Sequence, residues 1–166
     1  MTMTHSGSLP PGTVGTYQGD NEVADRAAIH ALLVAYGERL DQRDFDGFAE
    51  LFGGDGVSVM GTKEMTGAQA ADAMRETYRV GKNVIRTPNF HLFFNEVVTF
   101  DGPDRARATS MCVYMVTDDG FPVPGPSSRY EDELVKKGGR WYFAKRRYVK
   151  ISNPPIPGRD DNKPQT

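Results

Sequence analysis

The sequence predicts an α+β fold, in which a cone-shaped, curved antiparallel or mixed sheet is covered by about three N-terminal helices. Apolar residues recur at helical spacing in the first half of the chain, whereas from residue 90 onward they alternate with a period of two. Turn sequences divide this second half into segments typical of an antiparallel meander. A twisted sheet curls around its apolar face, so helices that cover the opening leave a pocket between the two layers.

Three helices are predicted in the first half. In the first, Ile29, Leu33 and Leu40 belong to one apolar face. The second is short and aromatic and ends at a pair of glycines. The third is opened by Thr66 or Gly67 and ended by a glycine. The predicted helices span residues 22–41, 44–52 and 68–80.

One short strand and four long strands complete the predicted domain. The long strands are separated by Asp-Gly and Gly-Gly pairs, which are typical of hairpin turns. The proline-rich stretch 121–126 is predicted to be a connection, and residues 1–20 and 153–166 to be flexible segments flanking one domain over 21–152. The predicted strands span residues 57–60, 90–100, 105–117, 127–136 and 140–151.

The composition excludes several classes of protein. With 20 Lys and Arg against 22 Asp and Glu, the net charge is −2, whereas a general nucleic-acid or membrane-surface binder needs a basic excess. The chain has neither a transmembrane run nor the apolar segment of a secretory signal, so we expect a cytoplasmic protein. A single cysteine, Cys112, excludes an internal disulfide and a cysteine-based zinc site, and no metal site is predicted.

Of the three histidines, His91 is the candidate base. His5 lies in the N-terminal segment, and His30 lies off the apolar face of the first helix. On a regular strand, His91 shares a mostly apolar face with Asn95, which is predicted to bind the substrate, and burying both is unfavourable unless they are hydrogen-bonded. The alternative is a core histidine whose ring is satisfied by a backbone group.

Asp41 is the candidate partner of His91. It ends the first helix, where a carboxylate opposes the helix dipole, and it follows Leu40 of the apolar face, so it can point inward. Beside His91 it would hold the imidazole in one tautomer and raise its basicity, as a general base requires. The alternative is a surface aspartate paired with Arg39 or Arg43.

Further side chains are predicted to bind the substrate. Tyr36 either donates to a developing oxyanion or is a core aromatic, and Tyr114 is placed in the pocket by strand alternation. An inward Arg146 would stabilise negative charge, although the run 145–147 is alternatively a solvated edge. Two further candidates of the same kind are Arg129 and Arg86.

These features together resemble the SnoaL-like domains of the NTF2-like superfamily over residues 22–151. The resemblance rests on the order and spacing of five pieces of sequence. They are the helix end Tyr-Gly-Glu-Arg-Leu-Asp at 36–41, the aromatic helix 44–52, Gly67-Ala68-Gln69, the strand with His91 and Asn95, and the final pair 130–132 and 139–141.

Within this superfamily the chain resembles the branch that contains scytalone dehydratase and hexachlorocyclohexane dehydrochlorinase. The resemblance implies a cofactor-free lyase in which His91 removes a proton from carbon or from a substrate hydroxyl while Asp41 orients it. It also implies that Arg146 matches a pocket arginine of the dehydrochlorinase-like relatives. Finally, it implies a homotrimer or homodimer packed through the outer face of the sheet.

The expected function is therefore a cofactor-independent lyase that acts on a small aromatic or cyclic molecule. Dehydration, dehydrohalogenation and retro-aldol or deformylating cleavage all need the same base and a dry pocket, so all three stay open. An isomerase or cyclase that uses the same pair of residues, the Asp41–His91 dyad, is an alternative. So is a non-catalytic module that binds a small molecule or resembles a dioxygenase small subunit, because a fold does not fix a function.

Overall fold

The computed structural model describes residues 21–80 and 88–151. Within these residues, three helices precede or interrupt six strands, which confirms the predicted α+β class. The elements are α1 (Glu22–Asp41), α2 (Phe45–Glu50), β1 (Val57–Met60), β2 (Lys63–Thr66), α3 (Gly67–Val80), β3 (Phe90–Phe100), β4 (Arg105–Asp118), β5 (Phe121–Lys137) and β6 (Arg140–Lys150).

The six strands form one mixed sheet in the order β2-β1-β6-β5-β4-β3. The long strands β3 to β6 pair as an antiparallel meander. Strand β1 lies next to β6 at the end of this meander and runs parallel to it. Register shifts interrupt all three long ladders, between Phe94 and Val97, between Val113 and Met115, and between Glu133 and Leu134. Because such bulges bend strands and increase their twist, they curve the sheet around one face.

The helices cover the curved face and enclose an aromatic core. Burying one large apolar side chain stabilises the fold by about 1.5–3 kcal/mol, so these contacts supply much of the folding free energy. The large apolar side chains that are 1% exposed or less are Ile29, Leu33, Phe48, Phe52 and Phe143.

The start of α3 is fixed by a reciprocal pair of hydrogen bonds. The backbone N–H of Gln69 donates to Oγ1 of Thr66 at 3.3 Å, and the N–H of Thr66 donates to Oε1 of Gln69 at 3.0 Å. Thr66 therefore caps the helix and Gly67 is its first residue. A Cβ at Gly67 would lie 2.7 Å from Cβ of Phe52, so only glycine fits between α3 and α2.

Two expectations about the strands are wrong. The segment 63–66 forms strand β2, which pairs with β1 across the turn at Gly61. Residues 121–126 are not a connection but the first part of β5. The last pair between β5 and β6 joins Ser128 to Lys150, so the proline-containing part of β5 has only β4 beside it. Because it pairs on one side only, the missing N–H groups of its prolines break no hydrogen bonds to a second strand.

Several sequence predictions concern residues outside the described ranges. These are the flexible segments 1–20 and 153–166, the candidate Arg86 and the excluded His5. Among the described residues, no helix is both long enough and apolar enough to cross a membrane.

Candidate active site

The packing of α1 against β3 brings Asp41 and His91 together. Nδ1 of His91 lies 2.6 Å from Oδ1 of Asp41, and the backbone N–H of His91 donates to Oδ2 of the same carboxylate at 3.0 Å. The His91 side chain is only 11% exposed and the Asp41 side chain only 22%. Both carboxylate oxygens thus bind one residue, which fixes the imidazole relative to the helix end.

A glycine makes this approach possible. Gly37 is buried on the face of α1 that meets β3, and a Cβ built there would lie 2.9 Å from the Phe93 ring and 3.1 Å from Cβ of His91. Any larger side chain would push the helix away from the strand. The sequence therefore places its glycine one turn before Asp41, at the point of closest contact.

The alternative environments for the dyad residues are not observed. Arg39 forms its ion pair with Asp44, and Arg43 donates to the backbone carbonyl of Asp41 rather than to its carboxylate. The His91 ring is bound by a carboxylate and not by a backbone carbonyl.

The dyad leaves one ring nitrogen of His91 available. When Asp41 accepts a hydrogen bond from Nδ1–H, the neutral imidazole carries its lone pair on Nε2. No hydrogen-bond partner of Nε2 occurs in residues 21–80 and 88–151, and His91 lines a cavity of about 600 Å³. An acceptor of this kind, facing a cavity and oriented by a carboxylate, is suited to general-base chemistry.

The cavity lies between the helices and the sheet and is rich in phenol groups. Its wall is mostly apolar, with contributions from α1, α3 and the inner face of the strands. Five of the seven tyrosines of the chain line it. They are Tyr36, Tyr78, Tyr114, Tyr130 and Tyr148. An apolar pocket with a few convergent polar groups is the usual form of a small-molecule site.

Arg146 lies beneath the aromatic floor of this cavity. Its guanidinium is 1% exposed, donates from Nη1 to Oδ2 of Asp132 at 3.0 Å, and lies 4.1 Å and 4.0 Å from the ring centroids of Tyr36 and Tyr130. Lys145, in contrast, pairs with Glu64 on the surface, so the run 145–147 is not uniformly a solvated edge. Arg146 points inward, but it reaches the cavity only through the two phenol rings.

The electrostatics of this floor favour negative charge in the cavity. Burial raises the pKa of Tyr36 and Tyr130, and the charge of Arg146 acts in the opposite direction. Both phenols therefore stay protonated, and because their hydroxyls interact with each other, one hydroxyl hydrogen of the pair is left to donate to a ligand. Burial likewise raises the pKa of Asp132 to about 7, although Arg146 lowers it. When Asp132 is neutral, Arg146 is an uncompensated cation beneath the floor.

Two of the predicted substrate-binding residues lie away from the cavity. Asn95 is exposed because a bulge follows Phe94, and its φ of 53° takes it out of the strand alternation, so it does not share the face of His91. Arg129 is exposed and pairs with Glu131, because its neighbour Tyr130 points inward. Both expectations, that Asn95 and Arg129 line the pocket, are wrong.

Three residues around the cavity are absent from the site predicted from the sequence. Tyr78 lies four residues after Met74 on α3, so the spacing that places Met74 also places Tyr78 on the cavity side. Tyr130 is paired with Tyr148 and faces inward. Arg43 has a φ of 61° and lies with its guanidinium 4.0 Å from the ring centroid of Tyr78; no pattern in the sequence signals this contact.

The described residues contain no group of three or more His, Cys, Asp or Glu side chains that could hold a metal ion. Cys112 lines the cavity, and burial raises its thiol pKa to about 11. It is therefore protonated near neutral pH and is not an activated nucleophile.

The chain matches a known protein family. The family model described as a SnoaL-like domain matches residues 21–147, which is most of the chain. No curated protein matches the chain.

Similar solved structures share the fold over most of the chain. A protein of unknown function from Mycobacterium tuberculosis is 26% identical, with a TM-score of 0.66 over 80% of this chain and 75% of the other. A protein from Novosphingobium aromaticivorans, proposed to be a scytalone dehydratase, is 21% identical, with a TM-score of 0.61 over 86% and 99%. The protein LinA is 18% identical, with a TM-score of 0.63 over 87% of this chain and 97% of the other.

Proposed function

The chain belongs to the SnoaL-like domain family of NTF2-like fold, and from this premise we propose that it is a cofactor-independent lyase acting on a small aromatic or cyclic molecule. The observation that carries the proposal is the 2.6 Å contact between His91 and Asp41, which leaves Nε2 unpartnered among the described residues at the wall of an apolar cavity.

In the proposed reaction, His91 is the base. Its Nε2 takes a proton from a carbon or a hydroxyl of the substrate, and the electrons left behind expel a leaving group or break a neighbouring bond. The Asp41 carboxylate stabilises the imidazolium that forms, and its bond to the His91 backbone keeps the ring aimed at the substrate. The mostly apolar wall strengthens both effects because the local dielectric is low.

The floor of the cavity would stabilise the negative charge that develops on the substrate. Tyr36 and Tyr130 are protonated phenols within the cavity wall, and the Arg146 cation lies behind both rings. Donors held in place before the reaction stabilise an anionic intermediate without reorganisation. This arrangement supports elimination through an enolate-like or phenolate-like species.

The shape and lining of the cavity support an aromatic or cyclic substrate. About 600 Å³ accommodates a ring system, and the tyrosine rings offer faces for stacking. The fold similarity to a proposed scytalone dehydratase and to LinA is consistent with elimination chemistry on such molecules. Dehydration, dehydrohalogenation and retro-aldol cleavage remain the candidate reactions.

We test this proposal with aromatic diols and hydroxylated aromatics, comparing the wild type with His91→Ala. We expect turnover to fall by about 10²–10⁴-fold, the usual contribution of a general base. His30→Ala is the matched control, because His30 also contacts a carboxylate, Glu96 at 2.7 Å, but is exposed. Turnover that survives His91→Ala would remove His91 from the mechanism.

Product analysis in the same experiment separates the lyase from its enzymatic rival. A lyase releases a second molecule, whereas an isomerase or cyclase conserves the mass of the substrate. A single product of unchanged mass would assign the dyad to isomerisation.

The proposal extends to the assembly of the protein as a homodimer or homotrimer. On the outer face of β3, Phe90, Leu92 and Phe94 are 37%, 46% and 40% exposed. They form a row beside a sheet edge that has no partner strand among the described residues. A contiguous apolar surface of this kind is typical of protein–protein contacts, and a second copy of the chain would cover it.

A further inference from the structure

Tyr114 faces the proposed base across the strand ladder. His91 on β3 and Tyr114 on β4 are paired in the sheet register, and their ring centroids are 4.8 Å apart. Both side chains line the same cavity. A substrate held against Nε2 of His91 therefore lies next to the phenol of Tyr114.

The hydroxyl of Tyr114 is buried without a conventional partner. No group in the described parts of the chain meets the distance and angle of a standard hydrogen bond with it. The hydroxyl of Tyr78, which also lines the cavity, interacts with it more weakly. Leaving a buried hydroxyl without a full hydrogen bond is unfavourable, and a ligand oxygen that accepted from it would remove this cost.

Arg43 supports this pair of phenols from behind. Its guanidinium donates to the carbonyls of Leu40 and Asp41 at 2.8 and 3.1 Å and to Oδ1 of Asn89 at 3.0 Å, so it is held in place. It lies 4.0 Å from the ring centroid of Tyr78. This fixed cation favours negative charge near both phenols.

Both phenols remain donors over the range in which a histidine titrates. Burial raises the pKa of Tyr114 and of Tyr78, and this effect outweighs the opposite influence of Arg43. Each hydroxyl therefore stays protonated at neutral and mildly alkaline pH.

We infer that Tyr114, aligned by Tyr78 and backed by Arg43, binds an oxygen atom of the substrate next to the carbon that loses its proton. The inference rests on the proposed function only in placing proton removal at His91. Because the His91 and Tyr114 side chains are paired neighbours on the wall of one cavity, a substrate whose acidic C–H faces Nε2 can place a nearby oxygen against the Tyr114 hydroxyl. This selects substrates with a carbonyl or hydroxyl beside the acidic C–H, and disfavours halides that lack such an oxygen.

The test uses 4-nitrophenol, whose phenolate mimics a substrate oxygen with negative charge and changes its absorbance on binding. We expect the wild type to bind the phenolate, and Tyr114→Phe to bind it at least about tenfold more weakly, since a hydrogen bond to a charged group contributes about 1.5–3 kcal/mol. Tyr78→Phe should show a smaller loss. Tyr142→Phe is the control, because Tyr142 stacks on Arg140 and is not part of the cavity wall.

Two outcomes would overturn the inference: no binding by the wild type at millimolar concentration, or binding by Tyr114→Phe within twofold of the wild type. Thermal unfolding of each variant checks that the fold is retained, and Tyr78→Phe provides a second measurement if Tyr114→Phe unfolds. The probe is not turned over, so its binding to His91→Ala separates the two proposals. Binding that depends on Tyr114 while turnover survives His91→Ala would retain Tyr114 as the group that binds the substrate oxygen, and would reject His91 as the base.

Discussion

Asp132 and Arg146 oppose each other on adjacent strands in the interior of the protein, with side chains 0% and 1% exposed. One oxygen of Asp132 and two nitrogens of Arg146 have no hydrogen-bond partner among the described residues. Removing both groups from water raises the free energy of their charged forms, and a single hydrogen bond compensates only in part. Burial therefore raises the pKa of Asp132 to about 7 despite the adjacent cation.

This shift predicts a pH dependence of stability. An unfolded aspartate has a pKa near 3.9, so between about pH 4 and pH 7 the folded state holds a proton that the unfolded state has released. The contribution of Asp132 to the unfolding free energy is therefore full below pH 4 and is lost as the pH rises toward 7. Asp132→Asn, which cannot titrate, should flatten the dependence measured by urea unfolding at pH 5 and pH 7.5.

The exposed Asp46 provides the control for this measurement, because its side chain is 96% exposed. Asp46→Asn should leave the difference between the two pH values as it is in the wild type. An equal difference in Asp132→Asn and the wild type would show that Asp132 has its usual ionisation in the folded protein.

Among the elements, β3 is divided by its bulge into two parts with different roles. Before the bulge, His91 and Phe93 face the helices, and after it Val98 packs against the core and Phe100 is buried. The bulge therefore changes which residues face inward. Asn95, at its positive φ, occupies the irregular position, and asparagine tolerates that conformation better than most residues.

The two parts of β3 show how much of the site could be predicted from the sequence. The helix ending at Asp41 and the strand carrying His91 follow from local periodicity, which fixed their bounds within a residue or two. The position of Asn95 depended on an extra residue in the ladder, which alternation alone does not reveal. The proline-rich start of β5 could not be predicted either. A strand tolerates proline where it is paired on one side only, and this depends on β6 ending before it reaches the proline-containing part of β5.

The contact between α1 and β3 yields a prediction at Gly37. Alanine is a better helix former than glycine by about 1 kcal/mol, so Gly37→Ala would stabilise a helix that was free of its neighbour. Here the added methyl group meets Phe93 and His91, and we expect a net loss of about 1–3 kcal/mol in unfolding free energy together with lower turnover. Denaturant unfolding that shows a gain in stability would contradict the close approach.

Over the whole molecule, the sheet presents a polar, charged part and an apolar part on its outer face. The charged part includes Arg107, Glu131 and Lys145, and the apolar part is the row of Phe90, Leu92 and Phe94 on the outer strand. The inner face is occupied by the core and the cavity. The outer apolar row is therefore the surface through which the proposed assembly would form.

A charge placed in this row should separate the subunits. We expect Leu92→Glu to shift the protein toward monomer in sedimentation velocity, because an unpaired carboxylate buried in an apolar contact is strongly unfavourable. Val34→Glu is the matched control, since Val34 is 43% exposed and lies on α1 away from the row. A wild-type protein that is already monomeric at micromolar concentration would rule out this assembly.

The close contact at Gly37 also has a consequence for folding. Asp41 and His91 are separated by 50 residues and belong to a helix and a strand that touch only after the helix docks on the sheet. Neither element alone carries an oriented base. A chain whose helices have formed but whose α1 is not docked on the sheet would lack the oriented base. During refolding, we therefore expect catalytic activity to recover later than the helical circular-dichroism signal. The contact between Asp41 and His91 thus reports the docking of α1 on the sheet, and under the proposed function a chain with α1 undocked would not turn over its substrate.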